Sequence, residues 1–101
     1  MLKAVEHLVE AAKIGRASKT EGNHSFKLRN GLWYFRHHQA NICVVDPQRE
    51  LVAYNDGEYH SKSTIRAINI YKKFFDWYRV VDVQIVEGKE ELQEEEDVRV
   101  N

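Results

Sequence analysis

The sequence is poor in cysteine and contains no long apolar run. Its one cysteine, Cys43, cannot form a disulfide within the chain, which favours a reducing compartment. No apolar stretch approaches the ~20 residues that a membrane span requires. An acid occurs as early as Glu6, whereas a secretory signal needs an uninterrupted apolar segment. We therefore expect a cytoplasmic protein that does not associate with membranes.

Motifs for catalysis and metal binding are also missing. The sequence has no Cys-x-x-Cys or His-x-x-x-His spacing and no glycine-rich phosphate loop. Cys43 lies in an apolar run, where a thiol is an inert small hydrophobe. The adjacent His37 and His38 would point to opposite faces of a strand, so the metal site of a metal-dependent nuclease or hydrolase would need one of them with His24, His60 or Cys43. These features predict a non-enzymatic protein without a cofactor or metal site.

The composition fits one small domain. The chain has 101 residues, of which 43% are apolar, enough for one hydrophobic core. Residues 1–86 carry thirteen basic and nine acidic side chains, whereas residues 87–101 carry two basic and seven acidic ones. Runs of like charge commonly remain solvated and unfolded. We predict a folded domain over 1–86 and a disordered acidic tail over 87–101.

Two segments have the apolar spacing of helices. The first covers 2–12 and ends before Gly15, a residue suited to a helix C-terminal cap. The second runs over 64–78, and a hydroxyl within 61–64 can cap its start by accepting a hydrogen bond from a free backbone N–H. The second helix is expected to lie across a sheet and to supply much of the core.

A β-hairpin is predicted between these helices. Asn30-Gly31 is typical of a two-residue type I′ turn, because both positions of that turn need positive φ. The flanking runs 24–29 and 32–37 then pair with an apolar face opposite a polar one. The expected cross-strand pairs are Arg29 with Leu32, Leu28 with Trp33, Lys27 with Tyr34, and Phe26 with Phe35.

The remaining segments complete the predicted fold. Residues 16–23 are polar and are predicted to form a loop. A second hairpin is expected from 42–45 and 51–54 around a proline-containing turn, and alternating residues over 81–85 predict one more strand. The predicted fold class is therefore α+β: a single domain with an antiparallel sheet of about four to five strands covered by two helices.

The polar face of the first hairpin predicts a surface that could bind nucleic acid. Lys27, Arg29, Tyr34 and Arg36 share this face in the predicted register. Basic groups contact phosphates and aromatic rings stack on bases, so the combination suits single-stranded nucleic acid. The alternative is an ordinary antiparallel sheet with one solvated face. The acidic tail would compete with a bound polyanion.

The stretch 51–69 resembles a segment of small uncharacterised bacteriophage proteins. In those proteins a strand leads to a Gly-aromatic turn, a cap rich in serine and threonine, and a helix with an Arg-Leu-Asn-like triplet. The matching residues here are Gly57, Tyr59, Ser61, Ser63, Thr64, Ile68 and Asn69. Ala67 stands where the family tends to have arginine, and Arg66 is its neighbour. The resemblance implies a phage accessory protein that acts on a host component, such as part of a defence system.

These observations lead to one hypothesis and two alternatives. The leading hypothesis is a non-enzymatic protein that binds a host macromolecule through Arg66, Asn69, Lys73 and Tyr59. The first alternative is nucleic-acid binding through the 24–37 hairpin. The second is a homo-oligomer that sequesters a small nucleotide between its subunits.

Overall fold

The computed structural model describes residues 2–55 and 61–93, and these form one α+β domain. Two helices and eight strands make up the described part. In chain order the elements are α1 (Lys3–Lys13), β1 (Ser18–Glu21), β2 (His24–Arg29), β3 (Leu32–His37), β4 (Ala40–Asp46), β5 (Leu51–Tyr54), α2 (Lys62–Phe74), β6 (Arg79–Val80), β7 (Asp82–Val86) and β8 (Lys89–Gln93).

Six strands form a mixed sheet in the order β1-β2-β3-β4-β5-β6. Neighbouring strands are antiparallel except β5 and β6, which are parallel. The prediction of an all-antiparallel sheet of four to five strands is therefore wrong in both strand number and direction. Part of the predicted 16–23 loop is the edge strand β1, which pairs with β2 through a two-residue Gly22-Asn23 turn. Because β1 has no apolar residue, its sequence carries no strand signal.

The β2–β3 hairpin confirms the register predicted from its turn. Asn30 and Gly31 have φ of 54° and 79°, the left-handed conformations that a type I′ turn requires. All four predicted cross-strand pairs are observed, from Arg29 opposite Leu32 to Phe26 opposite Phe35. The register continues to the far end of the hairpin, where His24 lies opposite His37.

Both helices pack on one face of the sheet and enclose the main core. Phe35 and Tyr71 are fully buried there, with ring centroids 4.8 Å apart. Helix α2 begins as predicted, with the Ser61 hydroxyl accepting a hydrogen bond from the Thr64 backbone N–H at 3.2 Å. It ends at Phe74, earlier than the predicted position near 78, because the chain turns and then adds β6 to the sheet.

The β7–β8 hairpin covers the opposite face of the sheet. Leu92 of β8 is fully buried in a second apolar cluster. The other members are Leu32, Tyr34, Val44, Leu51 and Ala53, with Val81 packed against them. The prediction of a disordered tail from residue 87 is wrong for 87–93, because one leucine among the acids is enough to anchor a strand on an apolar face. Residues 94–101 of that predicted tail lie outside the described residues.

Candidate functional site

Helix α2 presents three of the four residues of the leading predicted site on one exposed face. Arg66, Asn69 and Lys73 follow at helical spacing and are all exposed. With Lys62 and Ile65 they form what we call the α2 basic face. These five residues line a groove of about 590 Å³ that Leu2 and Ile70 complete. Tyr59, the fourth predicted residue, lies outside the described residues.

The α2 basic face combines positive charge with an exposed apolar residue. The sequence of α2 contains four basic residues and no acidic one. Within the described residues, Lys62, Arg66 and Lys73 form no ion pair at 4.0 Å or less. Ile65 lies among them with 44% of its surface exposed. Such a face suits a partner that brings acidic side chains around an apolar one.

The predicted nucleic-acid surface on the β2–β3 hairpin is not solvated as expected. Lys27 and Arg29 are exposed, but Tyr34 retains only 6% of its surface. The β7–β8 hairpin covers the Tyr34 ring, and the phenol donates a hydrogen bond to Glu90 at 3.0 Å. Burial, followed by the bond to this carboxylate, raises the pKa of Tyr34 to about 12.

Arg36, the fourth residue of that predicted surface, is only partly exposed. It donates from Nη2 to the backbone carbonyl of Gln39 at 2.7 Å, so this guanidinium is engaged with the turn between β3 and β4. The structure therefore brings Lys27 and Arg29 together at the surface without an exposed aromatic ring from Tyr34. Base stacking by this face would need another side chain.

A histidine pocket at one end of the sheet was not predicted from the sequence. His24 and His37 stack across β2 and β3 with ring centroids 4.6 Å apart, and the His38 ring lies 4.4 Å from that of His37. These rings line an open cavity of about 870 Å³ together with Ser61 and Thr64 at the start of α2. The remaining lining residues are Thr20, Gly22, Asn23, Ser25, Gln39, Ala40 and Ser63.

The two adjacent histidines meet in this pocket because only one of them is in a strand. His37 pairs with Ala40, so His38 and Gln39 form the β3–β4 turn. His38 has a φ of 56°, and its backbone N–H donates to the Asn23 carbonyl at 2.7 Å. The expectation that the two rings point to opposite faces is therefore wrong. It assumed extended backbone at both positions.

Hydroxyl groups at the start of α2 orient His37. Ser61 Oγ donates to Thr64 Oγ1 at 2.9 Å, so the Thr64 hydroxyl hydrogen is available to His37 Nδ1, also at 2.9 Å. When Thr64 donates this bond, neutral His37 carries its proton on Nε2. Thr64 is only 4% exposed, so its hydroxyl serves to fix the ring rather than to attack a substrate.

Burial favours the neutral form of two of the rings. It lowers the pKa of His24 and of His37 below the ordinary 6.5, and the nearby imidazoles lower both further. At His24, the nearby charge of Glu21 raises the pKa and so partly opposes this lowering. Across 2–55 and 61–93, no three His, Cys, Asp or Glu side chains are arranged to hold a metal ion. His60, which the sequence offered as a ligand, lies outside the described residues.

Cys43 belongs to the main core and is not exposed at the surface. It is fully buried in the main core, and burial raises the pKa of its thiol well above the ordinary value. The interpretation of this cysteine as a packed hydrophobe agrees with its position.

Neither α1 nor α2, the helices of the described part, is long and apolar enough to cross a membrane. No protein-family model, curated protein or solved structure matches the chain.

Proposed function

We propose that this protein is a non-enzymatic binding domain whose α2 basic face docks on an acidic surface of a host protein. The observation that carries the proposal is the helix face itself, with three cations around Ile65 and no acid anywhere in α2. The resemblance of 51–69 to phage proteins supports a host component as the partner. A role as a phage accessory factor that modulates host machinery or defence follows from it.

A protein partner is favoured over a nucleic acid by the character of this face. Ile65 is 44% exposed and lines the same groove as the partly buried Leu2, so a binding partner could cover apolar surface as well as charge. The whole chain has a net charge of −1 and a pI near 6.5, far below the value typical of a nucleic-acid-binding domain. On the hairpin, the burial of Tyr34 removes the aromatic ring that would stack on a base.

Affinity capture from bacterial lysate tests this proposal. Three baits are compared: the wild-type protein, the R66E/K73E variant of the α2 basic face, and the K27E/R29E variant of the hairpin. Each capture is divided into nuclease-treated and untreated halves. We expect the wild-type bait and the hairpin variant to retain the same host protein in both halves, whereas R66E/K73E loses it.

Two outcomes would overturn the proposal. If captured material is lost both after nuclease treatment and in the K27E/R29E variant, the function is nucleic-acid binding by the hairpin instead. A captured protein that R66E/K73E still retains would show that the partner contacts another surface. Circular dichroism of all three baits confirms that each is folded before the captures are compared.

A further inference from the structure

The histidine pocket has a lining that suits a negatively charged ligand. Its described lining residues comprise three imidazoles, several hydroxyls and amides, and no carboxylate. Glu21 acts electrostatically on His24, but its carboxylate oxygens lie 2.8 and 2.9 Å from His7 Nδ1. An anion in the cavity would therefore meet polar hydrogens without facing a carboxylate from the lining.

The start of α2 adds backbone donors to this lining. The first N–H groups of a helix have no acceptor within the helix, and they carry the positive end of its dipole. The Thr64 N–H is taken by the Ser61 cap, which leaves the N–H of Ser63 without an acceptor in the helix. The first turn of α2 contains no acid that would neutralise this end. Oxyanions bind at helix N-termini for these reasons.

The histidines supply a second and independent set of donors. When the Thr64 hydroxyl donates to Nδ1 of neutral His37, the ring carries its proton on Nε2. Nδ1 of His24 is buried and has no hydrogen-bond partner among the described residues, so the proton of neutral His24 is better placed on Nε2 as well. His38 is exposed at the rim, where its ring can approach a ligand from the turn.

We propose that the histidine pocket binds a tetrahedral oxyanion of the phosphate type, either free or as the phosphate group of a small molecule. This site is separate from the α2 basic face and does not depend on the docking proposal. Binding is coupled to proton uptake, because an anion among the rings stabilises the protonated forms of His24 and His37, which burial disfavours. The affinity therefore rises as the pH falls.

Titration calorimetry with sodium phosphate, sodium sulfate and glycerol phosphate tests this inference. Sulfate keeps its charge across the working range, so its pH dependence reports on the protein alone. We expect saturable sulfate binding at about pH 5.5 that is roughly tenfold weaker at about pH 7.5, because imidazoles titrate in this interval. Binding of glycerol phosphate but not of inorganic phosphate would identify the phosphate group of a larger molecule as the ligand.

Matched variants assign the binding to the pocket. His38→Asn keeps the left-handed turn, since asparagine tolerates positive φ, and His24→Gln keeps a polar side chain at a partly exposed position. We expect each to weaken sulfate binding at least fivefold at about pH 5.5. His7→Gln, an exposed histidine outside the pocket, is expected to leave the affinity within about twofold.

Several results would overturn the inference. The first is that none of the three anions shows saturable binding. The second is that both pocket variants bind sulfate with the wild-type affinity. The third is that His7→Gln loses as much sulfate affinity as the pocket variants do. Thermal melts show whether each variant is folded, so a loss of affinity cannot be mistaken for unfolding. R66E/K73E should bind sulfate as the wild-type protein does, which separates this site from the α2 basic face.

Discussion

Reversing the charge at Arg66 and Lys73 together is expected to weaken binding to an acidic peptide by roughly 30-fold. An exposed ion pair contributes about 0.2–1 kcal/mol, and reversal replaces each attraction by a repulsion of similar size. The two positions together then change the binding free energy by about 2 kcal/mol, and 1.4 kcal/mol corresponds to about tenfold in affinity. Fluorescence anisotropy of a labelled peptide with Asp and Glu around a central Leu measures this effect.

The stability of R66E/K73E should remain close to that of the wild-type protein. Both side chains are exposed and neither forms an ion pair within the described residues. The control is K27E/R29E, which makes the same change of charge on the hairpin and should bind the peptide within about twofold of the wild-type affinity. Equal weakening in both variants would mean that net charge, rather than the α2 basic face, determines binding.

Truncating the chain after Val86 is expected to destabilise the domain by about 3 kcal/mol or more. The truncation removes β8 and with it Leu92, which is fully buried. Loss of one buried leucine side chain costs about 2–5 kcal/mol, and the apolar cluster beneath it becomes exposed to water. The Leu92 carbonyl, which accepts a hydrogen bond from Arg49, and the Glu90 acceptor of Tyr34 are lost as well. Urea denaturation followed by circular dichroism measures the change.

The matched control is truncation after Gln93. This shorter truncation removes the acidic residues of 94–97 but keeps all of β8. We expect its urea midpoint to lie within a few tenths of a molar of that of the full chain. Equal midpoints for the two truncations would show that β8 contributes nothing to stability. Truncation after Gln93 is therefore the variant with which to test whether the acidic residues of 94–97 compete with a binding partner.

Local signals predicted the central hairpin and the start of α2 correctly. The Asn30-Gly31 turn needs left-handed backbone at both positions, and the apolar alternation around it agrees with only one register. The Ser61 cap and the helical spacing behind it located α2 in the same way. The same spacing placed Arg66, Asn69 and Lys73 on the exposed side of the helix, because residues three and four apart on a helix share a face.

Strands β1, β6 and β8 could not be predicted from the sequence, because they are stabilised mainly by contacts with neighbouring elements. Strand β1 has no apolar residue and β8 has one, Leu92, so neither shows the alternation that marks a strand. Strand β6 has two residues and pairs in parallel with β5, a contact between segments far apart in the chain. The burial of Tyr34 depends on β8, which is why the hairpin face was predicted as solvated.

The histidine pocket was predictable in part. The register set by Asn30-Gly31 already places His24 opposite His37 when it is extended to the end of the hairpin. The third ring could not be placed, because His38 continues the strand in sequence but adopts a turn conformation in the structure. The approach of the α2 N-terminus to these rings is a tertiary contact with no local signal.

Nuclear magnetic resonance of the ¹⁵N-labelled protein with the acidic peptide is the most direct measurement of where the binding surface lies. We expect the amide signals of 62–73 to shift in a saturable manner, while those of the 24–37 hairpin remain in place. Saturable shifts over 24–37 without change in α2 would contradict the assignment of binding to the α2 basic face.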